Sequence, residues 1–209
     1  YSNGYSLGEI IGRGGTSGIG VFSFDFGGFI VDGGHSLKSK SSFLPSSASQ
    51  AKPPQLLAHY DFPDDWEILL VILDSNNTVN GQKEVNIFQD YCPVPKNEVE
   101  QTSHIIFMNM IPFLLERDLP AFGHSIDEIQ KRGFKNVEVS LQSQQIRDLM
   151  DKLREIGAYG VGMSSFGPTV YSVFDKNNKH IVEEIKEYVG SRGIVLTTKA
   201  QNYGHEIQK

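Results

Sequence analysis

Residues Gly12 to Ser36 read GRGGTSGIGVFSFDFGGFIVDGGHS, and the reading of the whole chain turns on them. Glycines crowd both ends, Arg13 stands among the first group, and Thr16 and Ser17 follow it. So much bare backbone beside an arginine fits an anion cradle, a set of structural turns, or a flexible linker. In a cradle, successive glycines let backbone N–H groups converge on an anion while an arginine fork takes its oxygens in pairs. Within the stretch, GGFIVDGG (27–34) reads as a short strand closed by glycines. Asp32 and His35 at its end could act as a base or orient one; the plainer reading is a strand end with a solvated histidine.

The totals narrow the classes. The chain has 209 residues, 39% hydrophobic and 21% charged, enough for one sizeable core or two small domains. Its net charge of −6 argues against general nucleic-acid binding, so an anionic ligand must be met by a local basic site. One cysteine, Cys92, rules out an intrachain disulfide and fits a cytoplasmic location. No apolar run approaches the ~20 residues of a membrane span. The six histidines show no metal-ligand spacing, so no protein metal site is expected. Tyr1 opens the chain, and the glycine-rich stretch arrives with no strand before it. A phosphate loop sits between strand and helix, so the chain is expected to begin inside a domain.

Beyond this stretch, HSLKSKSSFLPSSASQAKPPQ (35–55) reads as a loop in which Lys38, Lys40 and Lys52 form either a mobile lid or a solvated linker. WEILLVILD (66–74) reads as a buried strand, and SNNTVNGQ (75–82) as turn-rich. Asn97 with Glu100 signals a helix start, with a kink at Pro112. A second helix is expected from Asp118 to Gly133. Ile146, Leu149, Met150, Leu153 and Ile156 mark one face of a third. AYGVGMSS and PTVYSVFD read as strands about a glycine turn, KHIVEEIKEYVG as a helix and GIVLTTKA as a last strand, a split βαβ order. GVGMSSFGPTVY (160–171) is a second glycine-serine loop whose glycines serve either a ligand or a hairpin. A boundary is placed near residues 93–96.

Taken together, GRGGTSGIGVFSFDFGGFIVDGGHS, FLPSSAS, WEILLVI, SLQS and GMSSFGPTVY resemble a non-kinase branch of the GHMP kinase superfamily, the β-ribofuranosylaminobenzene 5′-phosphate synthases of archaeal methanopterin biosynthesis. The resemblance implies an α/β (α+β) fold of two domains. Residues 1–95 would be an incomplete, ribosomal-S5-like first domain with WEILLVIL and GGFIVDGG in one sheet, and residues 96–209 a ferredoxin-like split βαβ domain. It implies a phosphoribosyl transferase that joins phosphoribosyl diphosphate to 4-hydroxybenzoate or 4-aminobenzoate and releases CO2 and diphosphate. A Gly-Leu-Gly-Ser phosphate loop of that family is absent from this sequence. Arg13, Asp32 and His35 would be catalytic. Gly14, Gly15, Thr16, Ser17, Gly18, Gly162, Ser164, Ser165 and Gly167 would bind substrate, with the two loops around one cleft. Mg²⁺ would assist the leaving diphosphate, and a homodimer is expected, with no nucleic acid or membrane as partner. Two alternatives stand beside it: an ATP-dependent small-molecule kinase, and a non-enzymatic ligand-binding module. Gly20 occupies the position where many kinases of the superfamily carry an aspartate base, which favours the synthase.

Overall fold

A computed structural model describes residues 3–206 apart from 37, 41, 50, 75–78 and 80. Residues 1–62, 80–93 and 200–209 cluster as one compact unit, and residues 63–79 and 94–199 as another.

The first unit contains α1 (Gly4–Ile11), α2 (Ile19–Phe26), β1 (Phe29–Asp32), β2 (Leu56–Tyr60) and α3 (Gly81–Tyr91). Asn3 caps α1 by accepting the Ser6 amide at 2.9 Å, and Gly12, at φ 71°, ends it. The glycine-rich stretch therefore joins two helices, and β1 follows α2. β1 and β2 pair antiparallel, with Phe29 opposite Tyr60. Gly27 and Gly28 before β1 are close-approach glycines: a Cβ at Gly27 would stand 2.2 Å from the Gln201 carbonyl oxygen, and one at Gly28 2.5 Å from that of Tyr60.

The carboxy-terminal residues belong here too. The Gly28 amide donates to the Gln201 carbonyl at 2.7 Å, the His205 amide donates to that of Phe24 at 2.8 Å, and the two rings Phe24 and His205 stack at 3.9 Å. This differs from a second domain running unbroken from 96 to 209. α1, α2, β2 and α3 were not read from the sequence. In α2, IGVFSFDF, β-branched and aromatic residues mask the helical period.

The second unit is built on a four-stranded antiparallel sheet in the order β4-β5-β3-β6, made of β3 (Glu67–Leu73), β4 (Tyr159–Met163), β5 (Thr169–Phe174) and β6 (Gly193–Thr198). WEILLVIL is thus an inner strand of this sheet and does not pair with GGFIVDGG. Leu70 sits opposite both Tyr171 and Leu196. The reason is legible in the run itself: an unbroken apolar strand needs neighbours on both edges and cover for its faces, and Leu69 and Val71 are fully buried. With β3 as its first strand, the sheet has the order of a split βαβ, ferredoxin-like fold.

α8 (Gln144–Glu155) lays Ile146, Leu149, Met150 and Leu153 into the same core as Ile181 and Ile185 of α9 (His180–Val189). Each such side chain contributes roughly 1.5–3 kcal/mol of burial.

Between β3 and β4 lie the other helices of this unit. α4 (Lys96–Ile105) runs through a π turn, Ile106–Met110, into α5 (Ile111–Glu116). Pro112 has no N–H to donate, and the expected kink at this residue corresponds to a change from a π turn to the next α-helix. Pro95, not Asn97, precedes the first turn of α4. Asp118 does cap α6 (Leu119–Gln130), accepting the Ala121 amide at 3.0 Å. Gly133, expected to stop that helix, opens α7 (Gly133–Ser140) with its amide on Glu98 at 3.0 Å. The 75–82 turn lies mostly outside the described residues.

α6 meets β4 through glycine on glycine. A Cβ at Gly123 would stand 2.6 Å from the Gly160 amide nitrogen. In an open helix Gly→Ala stabilises by about 1 kcal/mol. Here Gly123→Ala is expected to destabilise by roughly 1–3 kcal/mol through overpacking. A lower urea midpoint with an unchanged slope is the expected reading; a raised midpoint would show that the contact yields.

Candidate functional site

The glycine-rich loop is clamped by one carboxylate. Asp32, at the end of β1, accepts the Ser17 hydroxyl and the Gly18 amide on one oxygen, both at 2.8 Å, and the Gly34 amide on the other at 2.9 Å. The Ser17 hydroxyl also accepts the amide of Ile19, the first residue of α2, at 3.2 Å. Asp32 thereby holds the loop, and Ser17 and Gly18 turn toward it. Gly14, Gly15 and Gly18 are buried. Added Cβ atoms would meet Pro53 at 2.8 Å, Ser46 at 3.3 Å and Phe22 at 2.6 Å respectively. These three glycines answer to packing as well as to any ligand.

Arg13 and Thr16 face outward. The Arg13 guanidinium has no hydrogen-bond or ion-pair partner among the described residues, and a Cβ at Gly20 would stand 3.1 Å from it. An uncommitted guanidinium therefore lies over the first turn of α2, where helix amides carry partial positive charge. Thr16 accepts the Ser46 amide at 2.7 Å, which ties FLPSSAS to the loop.

The sequence leaves Lys40 in a segment that is either a mobile lid or a solvated linker; in the structure its side chain is half-buried and has partners. Its ammonium donates to the carbonyls of Gly15 and Leu44. Burial lowers its pKa, with Cys92 pulling the other way; burial raises the Cys92 thiol, opposed by Lys40. Lys52 pairs instead with Glu9 at 2.7 Å on the surface. His35 has Nε2 at 2.9 Å from the Lys52 carbonyl oxygen. Thr16, His35, Lys40, Ser42, Phe43, Phe88 and Cys92 line a cavity of about 160 Å³. Phe43 and Phe88 carried no signal in the sequence, because neither lies in a motif that names a ligand.

The second loop belongs to the other unit. Ser164 and Ser165 are exposed at the β4–β5 hairpin tip, with Ser165 at φ 47° and Gly167 at φ 73°. Lys135 of α7 donates to the carbonyls of Met163 and Ser165, both at 3.2 Å, and pairs with Glu138 at 2.5 Å. The side chain of Gln142, from SLQS, donates to the Phe166 carbonyl. The hairpin carbonyls are thus drawn inward from below. Gly162 makes room for Tyr171: an added Cβ would stand 2.4 Å from that ring. Burial, with the charge of Asp127 adding to it, pushes the Tyr171 phenol up to about 12. Burial also raises Asp127, against its ion pair with Arg154 at 3.0 Å.

Among the described residues no three His, Cys, Asp or Glu side chains gather to hold a metal, and no helix is long and apolar enough to cross a membrane.

With this geometry, the likeness to known proteins is informative. Residues 110–194 match the family of GHMP kinases C terminal, a stretch that lies within the second unit. The chain is 52% identical over 198 residues to a beta-ribofuranosylphenol 5′-phosphate synthase of Methanothermobacter thermautotrophicus, covering 95% of this chain and 60% of the relative. It is 48% identical to a synthase of the same name from Methanocaldococcus jannaschii, covering 98% of this chain and 62% of the relative. The chain thus spans about three fifths of the length of these relatives. Homoserine kinase from Cytophaga hutchinsonii superposes with a TM-score of 0.60 at 16% identity, over 88% of this chain and 52% of that one. Mevalonate diphosphate decarboxylase from Staphylococcus aureus does so at 0.51 and 15%, over 77% and 51%. The structural likenesses bear on fold alone, and the fold is the mixed helix and sheet fold of the GHMP kinases.

Tyr171 supplies a pH test. Its folded pKa lies above the ordinary value of about 10, so the stability it contributes is full below pH ~10 and lost as pH rises through about 12. In a 295 nm titration the last phenol to ionise is expected to disappear in Tyr171→Phe; an unchanged final phase would mean the group is not buried in solution.

Proposed function

We propose that this protein joins phosphoribosyl diphosphate to 4-hydroxybenzoate, releasing diphosphate and CO2, as a cytoplasmic step of methanopterin biosynthesis. The observation that carries the reading is the uncommitted Arg13 guanidinium over Gly20 at the start of α2. Identity of 47–52% to synthases named for a ribofuranosylphenol product supports it. A phenol product requires a ring that bears a hydroxyl, which favours 4-hydroxybenzoate over 4-aminobenzoate as acceptor.

In the reaction the bond from ribose C1 to diphosphate breaks, and its electron pair leaves with the diphosphate. The ring carbon that bears the carboxylate supplies a pair to C1. The bond to the carboxylate then breaks, its electrons restore the aromatic ring, and CO2 departs. No ring proton has to be removed on this route, so Asp32 can serve the loop and need not be a base. His35 is left as a group that can face the acceptor. The site has to stabilise charge on the departing diphosphate, which suits Arg13, Thr16 and the helix amides. Mg²⁺, where it takes part, would be held chiefly by the diphosphate oxygens, because small divalent ions commonly bind through substrate phosphates. Gly162, Ser164, Ser165 and Gly167 are proposed as further substrate contacts, and pairing into a homodimer belongs to the same proposal. The kinase alternative has fold likeness behind it and no base at Gly20.

The test is release of diphosphate and CO2 from phosphoribosyl diphosphate and 4-hydroxybenzoate by the full-length protein. Arg13→Ala is expected to slow turnover by about one to two decades, the weight of one charge-assisted bond. Arg13→Lys should recover part of that, because an ammonium lacks the fork. Gly20→Asp should weaken phosphoribosyl diphosphate binding, because its carboxylate would pair with Arg13. Conversion of ATP to ADP with an alcohol acceptor, and no diphosphate release, would replace this reading with the kinase.

A further inference from the structure

We infer that the cavity between Lys40, Phe43, Phe88 and Cys92 is the subsite for the aromatic acid, an assignment that rests on the proposed ribosyl transfer and deepens it. Size is the first argument. The cavity holds about 160 Å³, and an apolar cavity of roughly 150 Å³ takes one benzene ring. A nucleotide or a drug-sized ligand needs roughly 300 Å³ or more. A single six-membered ring with small substituents is what fits.

Charge is the second. The Lys40 ammonium is half-buried and donates to the carbonyls of Gly15 and Leu44. No carboxylate among the described residues forms an ion pair with it. A cation removed from water without a counter-ion is costly, and a bound carboxylate would offset that cost. Two carbonyls occupy two of its three N–H groups, so one is left for the ligand.

The lining is the third. Phe43 and Phe88 come from separate parts of the first unit and supply aromatic surface for ring contact. Thr16 and His35 add polar groups. If His35 Nε2 donates to the Lys52 carbonyl, the neutral ring keeps Nδ1 as an acceptor for a hydroxyl on the ligand. Thr16 also belongs to the glycine-rich loop, so a ring held here lies beside the backbone proposed to meet phosphoribosyl diphosphate. Ring, carboxylate and hydroxyl are the three features of 4-hydroxybenzoate, and the cavity has a counterpart for each.

Cys92 makes the assignment testable without turnover, because it lines the cavity and is half-buried. The rate of its alkylation by iodoacetamide can be followed by peptide mass spectrometry on the full-length protein. At ten times its dissociation constant, 4-hydroxybenzoate is expected to slow that rate about tenfold. Acetate, which lacks the ring, and phenol, which lacks the carboxylate, should protect far less, and phosphoribosyl diphosphate alone should not protect. Phe88→Ala should raise KM for 4-hydroxybenzoate about tenfold or more while KM for phosphoribosyl diphosphate stays within about twofold. Lys40→Met should do the same, with Phe88→Ala as the arm that leaves the Gly15 and Leu44 carbonyls undisturbed. If a protein that releases CO2 and diphosphate shows no protection of Cys92 and no change in either KM, the subsite is elsewhere and the transfer reaction stands. If 4-hydroxybenzoate protects Cys92 in a protein that releases neither product, the cavity binds the aromatic acid and the transfer reaction fails.

Discussion

Three donors converge on the Asp32 carboxylate, and the first unit is organised around that convergence. The Ser17 hydroxyl, the Gly18 amide and the Gly34 amide all lie within 2.9 Å of its two oxygens. A carboxylate that accepts several N–H and O–H groups is held firmly in its charged form's geometry, and it holds them in turn. The clamp fixes the end of β1 against the start of α2. It leaves Arg13 on the outer side of the loop and Thr16 on the rim of the cavity.

The second unit solves a related problem with different residues. Its hairpin tip has residues in the left-handed region at Ser165 and Gly167, and a tip of that kind needs support. Lys135, held by Glu138, and Gln142 provide it by binding carbonyls of Met163, Ser165 and Phe166. Below, the Gly123–Gly160 contact lets α6 lie close on β4, and the apolar face of α8 closes the core. Side chains in each unit thus set the backbone of its own glycine-serine loop.

The charges of the first unit divide by task. Asp32 and Lys40 both sit beside the glycine-rich loop, one taking its N–H groups and the other its Gly15 carbonyl. Asp32 has three donors of the protein on its two oxygens. Lys40 is not balanced by any carboxylate ion pair among the described residues, and this imbalance is what makes the adjoining cavity more than a packing gap. The bare Gly20 leaves room for Arg13 to lie across the helix start. A general base at that place would be neutralised by the arginine, and the arginine by the base.

Local pattern was enough for the elements whose contacts are close in the chain. The face of α8, the cap at Asp118, the β4 and β5 strands and the final helix and strand all follow from spacing of three to four, from alternation or from a capping side chain. The glycine-serine motifs carried the likeness to the synthases over almost the whole length, because such motifs are short and contiguous. Tertiary structure alone decided the rest. It placed WEILLVIL inside the second sheet, between strands more than a hundred residues further along, and returned residues 200–206 to α2. It gave Asp32 three partners in the loop, turned Lys40 inward, and brought Phe43 and Phe88 to the lining of one cavity. Each of these is a meeting of residues with no periodic relation in sequence. Which distant partner satisfies a buried amide, carbonyl or charge is settled only when the chain has closed around it.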